Sequence, residues 1–106
     1  MEYIAVFITT SSYQEAKKIT DNLLDRGLAA CVNIIPKVES TYIWRGKKEK
    51  SEEVLLIAKS LKDKFSELVE TVKKIHSYEV PEIISLAIQD GSKDYLDWIG
   101  GLSKNE

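Results

Sequence analysis

The chain has 106 residues, 43% hydrophobic and 30% charged, and 17 acidic against 15 basic side chains leave a formal net charge of −2. This excludes a disordered chain and suits one domain over residues 1–106, burying roughly two thirds of its unfolded surface. No basic stretch tracks phosphates and no apolar run spans a bilayer, so neither nucleic acid nor membrane is an expected partner. The lone cysteine, Cys31, excludes an internal disulfide and paired-thiol metal or redox motifs. Met1-Glu2-Tyr3 leads straight into apolar sequence without a basic leader, so the expected compartment is the cytoplasm.

Tyr3 to Thr9 (YIAVFIT) is apolar on both faces, as a covered central strand requires. Ser12-Tyr13-Gln14-Glu15 has the form of a capping box, in which the serine oxygen accepts from the third helical N–H and the glutamate reaches back. Ala16, Ile19, Leu23 and Leu24 follow at helical spacing, and Gly27-Leu28 predicts a left-handed stop.

Ala29 to Lys59 then reads as two β-rich runs joined by the polar tip Arg45-Gly46-Lys47-Lys48, a long hairpin. Its first leg, Ala29 to Trp44, would span about 50 Å if continuous, several times an ordinary strand. Pro36 predicts a bulge or an edge position in that leg. A domain of this size cannot cover such an arm, so the unpaired edge and the tip residues Tyr42, Ile43 and Trp44 call for another chain.

Leu61, Phe65, Leu68, Val69, Val72 and Ile75 trace a second helical stripe with Ser60 as its expected N-cap, ending near His76. Val80 to Ile88 predicts a fourth strand, turned away at Asp90-Gly91. Tyr95, Trp98, Ile99 and Leu102 predict a short terminal helix ended by Gly100-Gly101. The order is that of an α+β, ferredoxin-like βαββαβ sandwich with a long hairpin arm between its second and third strands and a C-terminal helix. Two helices cover one sheet face, and the other, also apolar, requires a second subunit.

Function must come from residues, because this fold hosts many activities. The third strand lacks the stacking aromatics of an RNA-binding sheet, and Thr9-Thr10-Ser11-Ser12 offers neither the paired thiols of a copper chaperone nor the arginine of an acylphosphatase. His76-Ser77-Tyr78-Glu79-Val80-Pro81-Glu82 gathers an imidazole, a phenol and two carboxylates in one stiffened turn. His76 reads either as a helix-end cation or as a metal ligand or polar anchor in a cleft, and Cys31 either as a small core side chain or as a thiolate for a soft cation. Together they fall short of a tetrahedral cage, so Tyr78, Glu79, Glu82 or a neighbouring subunit would complete it. Lys59 reads as a solvated strand end or as the partner of Glu53 or Glu82 in a buried ion pair. No nucleophile pairs with a base, and no enzymatic turnover is expected.

Ala29-Ala30-Cys31-Val32-Asn33, Tyr42-Ile43-Trp44-Arg45-Gly46-Lys47, Glu53, Lys59, His76 to Glu82 and Asp94-Tyr95-Leu96-Asp97-Trp98 together resemble the CutA family of divalent-cation tolerance proteins, in order and across nearly the whole chain. The resemblance implies a homotrimer paired through its hairpins and a link to copper and other divalent metals. It implies Cys31 and His76 as first ligands, Glu79 or Glu82 as oxygen donors, and Tyr42, Trp44, Lys59, Tyr78 and Trp98 lining or bracing an inter-subunit cleft. At one position the chain departs: the family usually reads His-Pro-Tyr-Glu, and Ser77 in the proline position predicts a looser turn after His76. The alternative from another class is a trimeric sensor or signalling scaffold, of the nitrogen-regulatory type, holding an anionic metabolite or a protein partner in its clefts, with Lys59 and His76 as cations.

Overall fold

The computed structural model describes residues 1–105, with side chains through residue 103. The strands are β1 (Tyr3–Thr10), β2 (Cys31–Trp44), β3 (Lys47–Leu61) and β4 (Ile83–Ala87), and the helices are α1 (Tyr13–Asp25), α2 (Phe65–Ile75) and α3 (Lys93–Gly100). One antiparallel sheet runs in the order β2-β3-β1-β4. This is the α+β sandwich expected from the sequence.

The side-chain period of two divides the sheet. Ile4, Val6 and Ile8 of β1 and Val54, Leu56 and Ala58 of β3 point to one face and form the core with Ala16, Ile19 and Leu23 of α1 and Leu68 and Val72 of α2. The alternate residues point the other way. There α3 covers one end, seating Ile99 and Leu102 with Leu61 and Tyr3. The rest of that face is bare, with Ile84 and Leu86 of β4 51% and 48% exposed.

Helix α1 starts as expected, with the Ser12 hydroxyl accepting from the Glu15 N–H at 3.1 Å. The Glu15 side chain reaches back to Ser11, one residue beyond the ordinary capping box. Gly27 takes a φ of 67°, and the Leu28 N–H closes on the Leu23 carbonyl. Ser60 is not a helix cap. Strand β3 continues through Leu61, a 3₁₀ turn (Lys62–Lys64) precedes α2, and the buried Ser60 hydroxyl donates to the Leu28 carbonyl at 2.7 Å. Helix α3 ends at Gly100 with Gly101 as its C-cap, as expected, and the chain goes on into another 3₁₀ turn, Gly101–Asn105.

The hairpin is 14 residues against 15, and the molecule is 44 Å long. Arg45 and Gly46 alone form its turn, both at positive φ (53° and 81°), the conformation that matches strand twist in a two-residue loop. The ladder breaks between Ile35 and Val38, so Pro36 sits at a bulge on the edge strand, where its missing N–H costs no ladder bond. Strand β4 is shorter than expected because Val80, Pro81 and Glu82 leave the ladder for the turn before it.

Leu56 is fully buried at the centre of β3. Leu56→Ala is expected to destabilise the fold by about 3 kcal/mol, read as a lower urea midpoint at fixed protein concentration. An unchanged midpoint would mean that the site collapses without leaving a cavity.

Candidate functional site

A cleft of about 640 Å³ opens where the end of β1, the middle of β3, the outer half of β2 and the turn before β4 meet. Glu53, Glu82, Tyr78, Tyr42 and Trp44 line it, and among the described residues none of its lining side chains is cationic. Glu53 lies on β3 opposite Val38, just past the bulge, and is only 7% exposed. Its Oε2 accepts from the Tyr78 hydroxyl at 2.7 Å. Burial, that hydrogen bond and the Glu53 charge hold the Tyr78 phenol well above its ordinary pKa. Burial and then the charge of Glu53 push the Glu82 carboxyl up as well. The cleft thus holds two mutually repelling carboxylates against aromatic walls.

The turn that delivers Tyr78 is fastened by side chains. His76 ends α2 with its side chain fully buried. Its Nε2–H donates to the Thr9 carbonyl at 2.7 Å, and its Nδ1 accepts from the Tyr78 N–H at 3.0 Å. The imidazole and phenol rings lie 4.8 Å apart. The Ser77 N–H donates to Glu15 Oε2 at 2.6 Å, while Glu15 Oε1 accepts from the Ser11 N–H at 3.2 Å. Ser77, in the position where the resemblance predicts a looser turn, is therefore tied to α1.

The structure gathers part of the expected ligand set. Glu82 and Tyr78 line the cleft, whereas Glu79 is exposed and is not part of its lining. His76 stands behind the wall with both ring nitrogens engaged. Cys31 is elsewhere: it pairs with Lys59, which also faces Ala5, and Thr9 lies about 13 Å further along β1. The thiol neighbours the Tyr95 hydroxyl, whose pKa burial and Cys31 raise. Trp98 is half exposed and stacks on Tyr95 at the α3 end of the sheet, outside this cleft. Lys59 donates to the Asn33 side chain, about 20 Å along β3 from Glu53, which removes the ion pair considered for it. Among the described residues no group of three or more His, Cys, Asp or Glu side chains within the chain forms a metal-holding cluster.

Sequence reasoning assigned no cleft role to Glu53 and none beyond capping to Glu15. For Glu53 a signal existed: it occupies the alternation that Leu55 and Ile57 continue on β3, so a carboxylate is carried onto the apolar face opposite the helices. For Glu15 there was none, because its partner Ser77 is 62 residues away.

Glu15 and Glu82 give opposite pH dependences. Burial raises the Glu15 carboxyl, but hydrogen bonds from Ser77 and Ser11 outweigh it, leaving a net lowered pKa. A lowered folded value gives stability that is present above the unfolded pKa and lost as pH falls through the folded one. Glu15→Gln is expected to flatten this acid limb. The raised Glu82 gives the reverse: its contribution is present below the unfolded pKa and lost as pH rises through the folded one. Glu82→Gln is expected to increase stability at neutral pH, read as a higher urea midpoint, and a lower midpoint would mean that the carboxylate is compensated.

The family profile described as CutA1 divalent ion tolerance protein matches residues 4–101. A CutA homolog of Xenopus laevis is 46% identical over 98 residues, which cover 92% of this chain and 65% of that protein. The divalent-cation tolerance protein CutA of Thermus thermophilus is 44% identical over 94 residues, covering 89% of this chain and 91% of that one. The chain spans less than two thirds of the Xenopus protein and 56% of a chloroplastic CutA of Arabidopsis thaliana. Among solved structures, the periplasmic divalent cation tolerance protein CutA of Archaeoglobus fulgidus superimposes with a TM-score of 0.91 at 40% identity, covering 94% of this chain and 97% of that chain. CutA1 of Oryza sativa gives 0.92 at 38% identity, covering 96% and 94%. With the profile match, the sequence identity and the common fold in agreement, the chain belongs to the CutA family of divalent-cation tolerance proteins.

Proposed function

We propose that this chain acts as a homotrimeric, non-catalytic divalent-cation tolerance protein that binds copper or another divalent ion at the Glu53–Glu82 cleft, in the cytoplasm, as part of a response to metal ions. The observation that carries the reading is that Glu53 and Glu82 line one cleft, near enough for the Glu53 charge to act on Glu82, and that among the described residues its lining has no cationic side chain. Two carboxylates and a phenol are oxygen donors suited to a divalent ion, Cu(II) rather than Cu(I). One chain supplies an incomplete set, so a neighbouring subunit or water would add the rest. An anionic metabolite would meet two carboxylates here, which favours the cation over the sensor reading.

Trimerisation is supported by the bare apolar sheet face and by the long edge of β2, each of which a second copy would cover. Among the described residues no helix is long and apolar enough to cross a membrane.

Light scattering on a sizing column is expected to give three times the 12.0 kDa chain mass. Ile84→Asp, on the bare face, is expected to lower that mass while leaving the far-ultraviolet circular dichroism unchanged. A monomeric wild type would remove the trimer from the proposal.

A competitive Cu(II) titration is expected to show binding that weakens by about tenfold or more in Glu53→Gln and Glu82→Gln and persists in Cys31→Ser. His76→Ala tests whether the buried imidazole serves as a ligand. Loss of binding in Cys31→Ser with both glutamine variants unaffected would move the site to the thiol, and absence of binding by the wild type would overturn the metal reading.

A further inference from the structure

We infer that Glu15 is a positioning residue for the cleft: its carboxylate ties the turn after His76 to the start of α1 and so holds the Tyr78 hydroxyl on Glu53. The inference concerns how the cleft wall is held and does not depend on which ion, if any, enters it.

Capping α1 does not account for what Glu15 does. The Ser12 hydroxyl already receives the Glu15 N–H, and the Glu15 side chain divides its two oxygens between neighbours far apart in sequence. Oε1 takes the N–H and hydroxyl of Ser11, at 3.2 and 3.3 Å, on the loop after β1. Oε2 takes the N–H of Ser77 at 2.6 Å. The Ser11 and Ser77 hydroxyls also meet, at 3.5 Å.

The next link follows along the chain. The Tyr78 N–H goes to His76 Nδ1 rather than to a backbone carbonyl, so two consecutive amides of this turn are held by side chains alone. Glu15 Oε2 also lies 3.9 Å from that same Nδ1. Beyond Tyr78 N comes the phenol, whose hydroxyl reaches Glu53 at 2.7 Å. Removing the carboxylate releases the first of these amides. The backbone at Ser77 then gains freedom, and a ring carried by the next residue keeps its 2.7 Å contact only if that backbone stays in place.

The geometry also supplies a rescue. His76 is extended, with φ −67° and ψ 138°, a conformation that a following proline accepts. A proline at position 77 has no N–H to offer Glu15 and restricts the turn through its own ring. Ser77→Pro should therefore make the cleft indifferent to Glu15.

The experiment is nuclear magnetic resonance on the full chain, without added metal, with ¹⁵N-labelled backbone and tyrosine labelled at the ring carbon that bears the hydroxyl. Glu53→Gln, Tyr78→Phe, Glu15→Ala, Glu15→Gln and Glu15→Ala/Ser77→Pro are compared with wild type. Glu15→Ala is expected to speed exchange of the Ser77 and Tyr78 amides by about tenfold or more, leave the β1 and β3 amides protected, and shift the Tyr78 ring carbon toward its position in Glu53→Gln. Glu15→Gln, which keeps one acceptor oxygen, is expected to fall between, and the double variant to restore the Tyr78 signal. A Tyr78 resonance and amide unchanged in Glu15→Ala would overturn the inference. So would a general loss of β1 and β3 protection that Ser77→Pro does not reverse, because Glu15 would then support the fold and not the cleft.

Discussion

The two-residue period of β1 and β3 is the constraint on which the rest depends. Paired antiparallel at the centre of the sheet, these strands send Ile4, Val6, Ile8, Val54, Leu56 and Ala58 under α1 and α2. The same alternation sends Ala5, Phe7, Leu55, Ile57 and Lys59 to the opposite face. A slip of one residue would exchange the two sets and bury Lys59 in the core, so burial enforces the register. That register in turn places Glu53 at the end of the open face, where a carboxylate can be buried beside a cleft rather than within the core.

The long hairpin extends this arrangement beyond what the helices can cover. Its turn costs little, because Arg45 and Gly46 adopt the twist that two-residue loops require. Pro36 marks the change of character along β2. On the Cys31 side of the bulge Val32 and Ile34 pack on the core, while from Thr41 to Trp44 every residue is exposed. The outer half presents Tyr42 and Trp44 to the cleft and an unpaired edge to the surroundings.

The cleft and its support solve separate electrostatic problems. Glu53 and Glu82 raise each other's energy in a partly desolvated space, an arrangement that costs stability unless a cation or a proton joins them. Glu15, a short distance behind the wall, is instead surrounded by donors, and its negative charge stabilises the turn it touches. The fold thus keeps a mutually repelling carboxylate pair in the cleft and a carboxylate surrounded by donors behind its wall. His76 belongs to the second group, since both its nitrogens serve the backbone of the turn and of β1.

Local patterns in the chain were sufficient for the element order, the helix stop at Gly27, the bulge at Pro36 and the two-sided apolar character of the sheet. Each of these is decided by the conformational preference or spacing of neighbouring residues. Ser60 misled as a cap because the same serine served better as a buried donor to Leu28, a contact between segments 32 residues apart. The site divided in the same way. Tyr78 and Glu82 were legible in a dense polar turn, but the separation of Cys31 from His76, the burial of Glu53 and the bond from Glu15 to Ser77 were decided by which strand lies beside which. Short-range preferences in the amino-acid order determine helices, turns and strand faces. Hydrogen bonds and charge pairings between distant segments exist only once the packed core sets the register, and for that reason only the tertiary structure decided them.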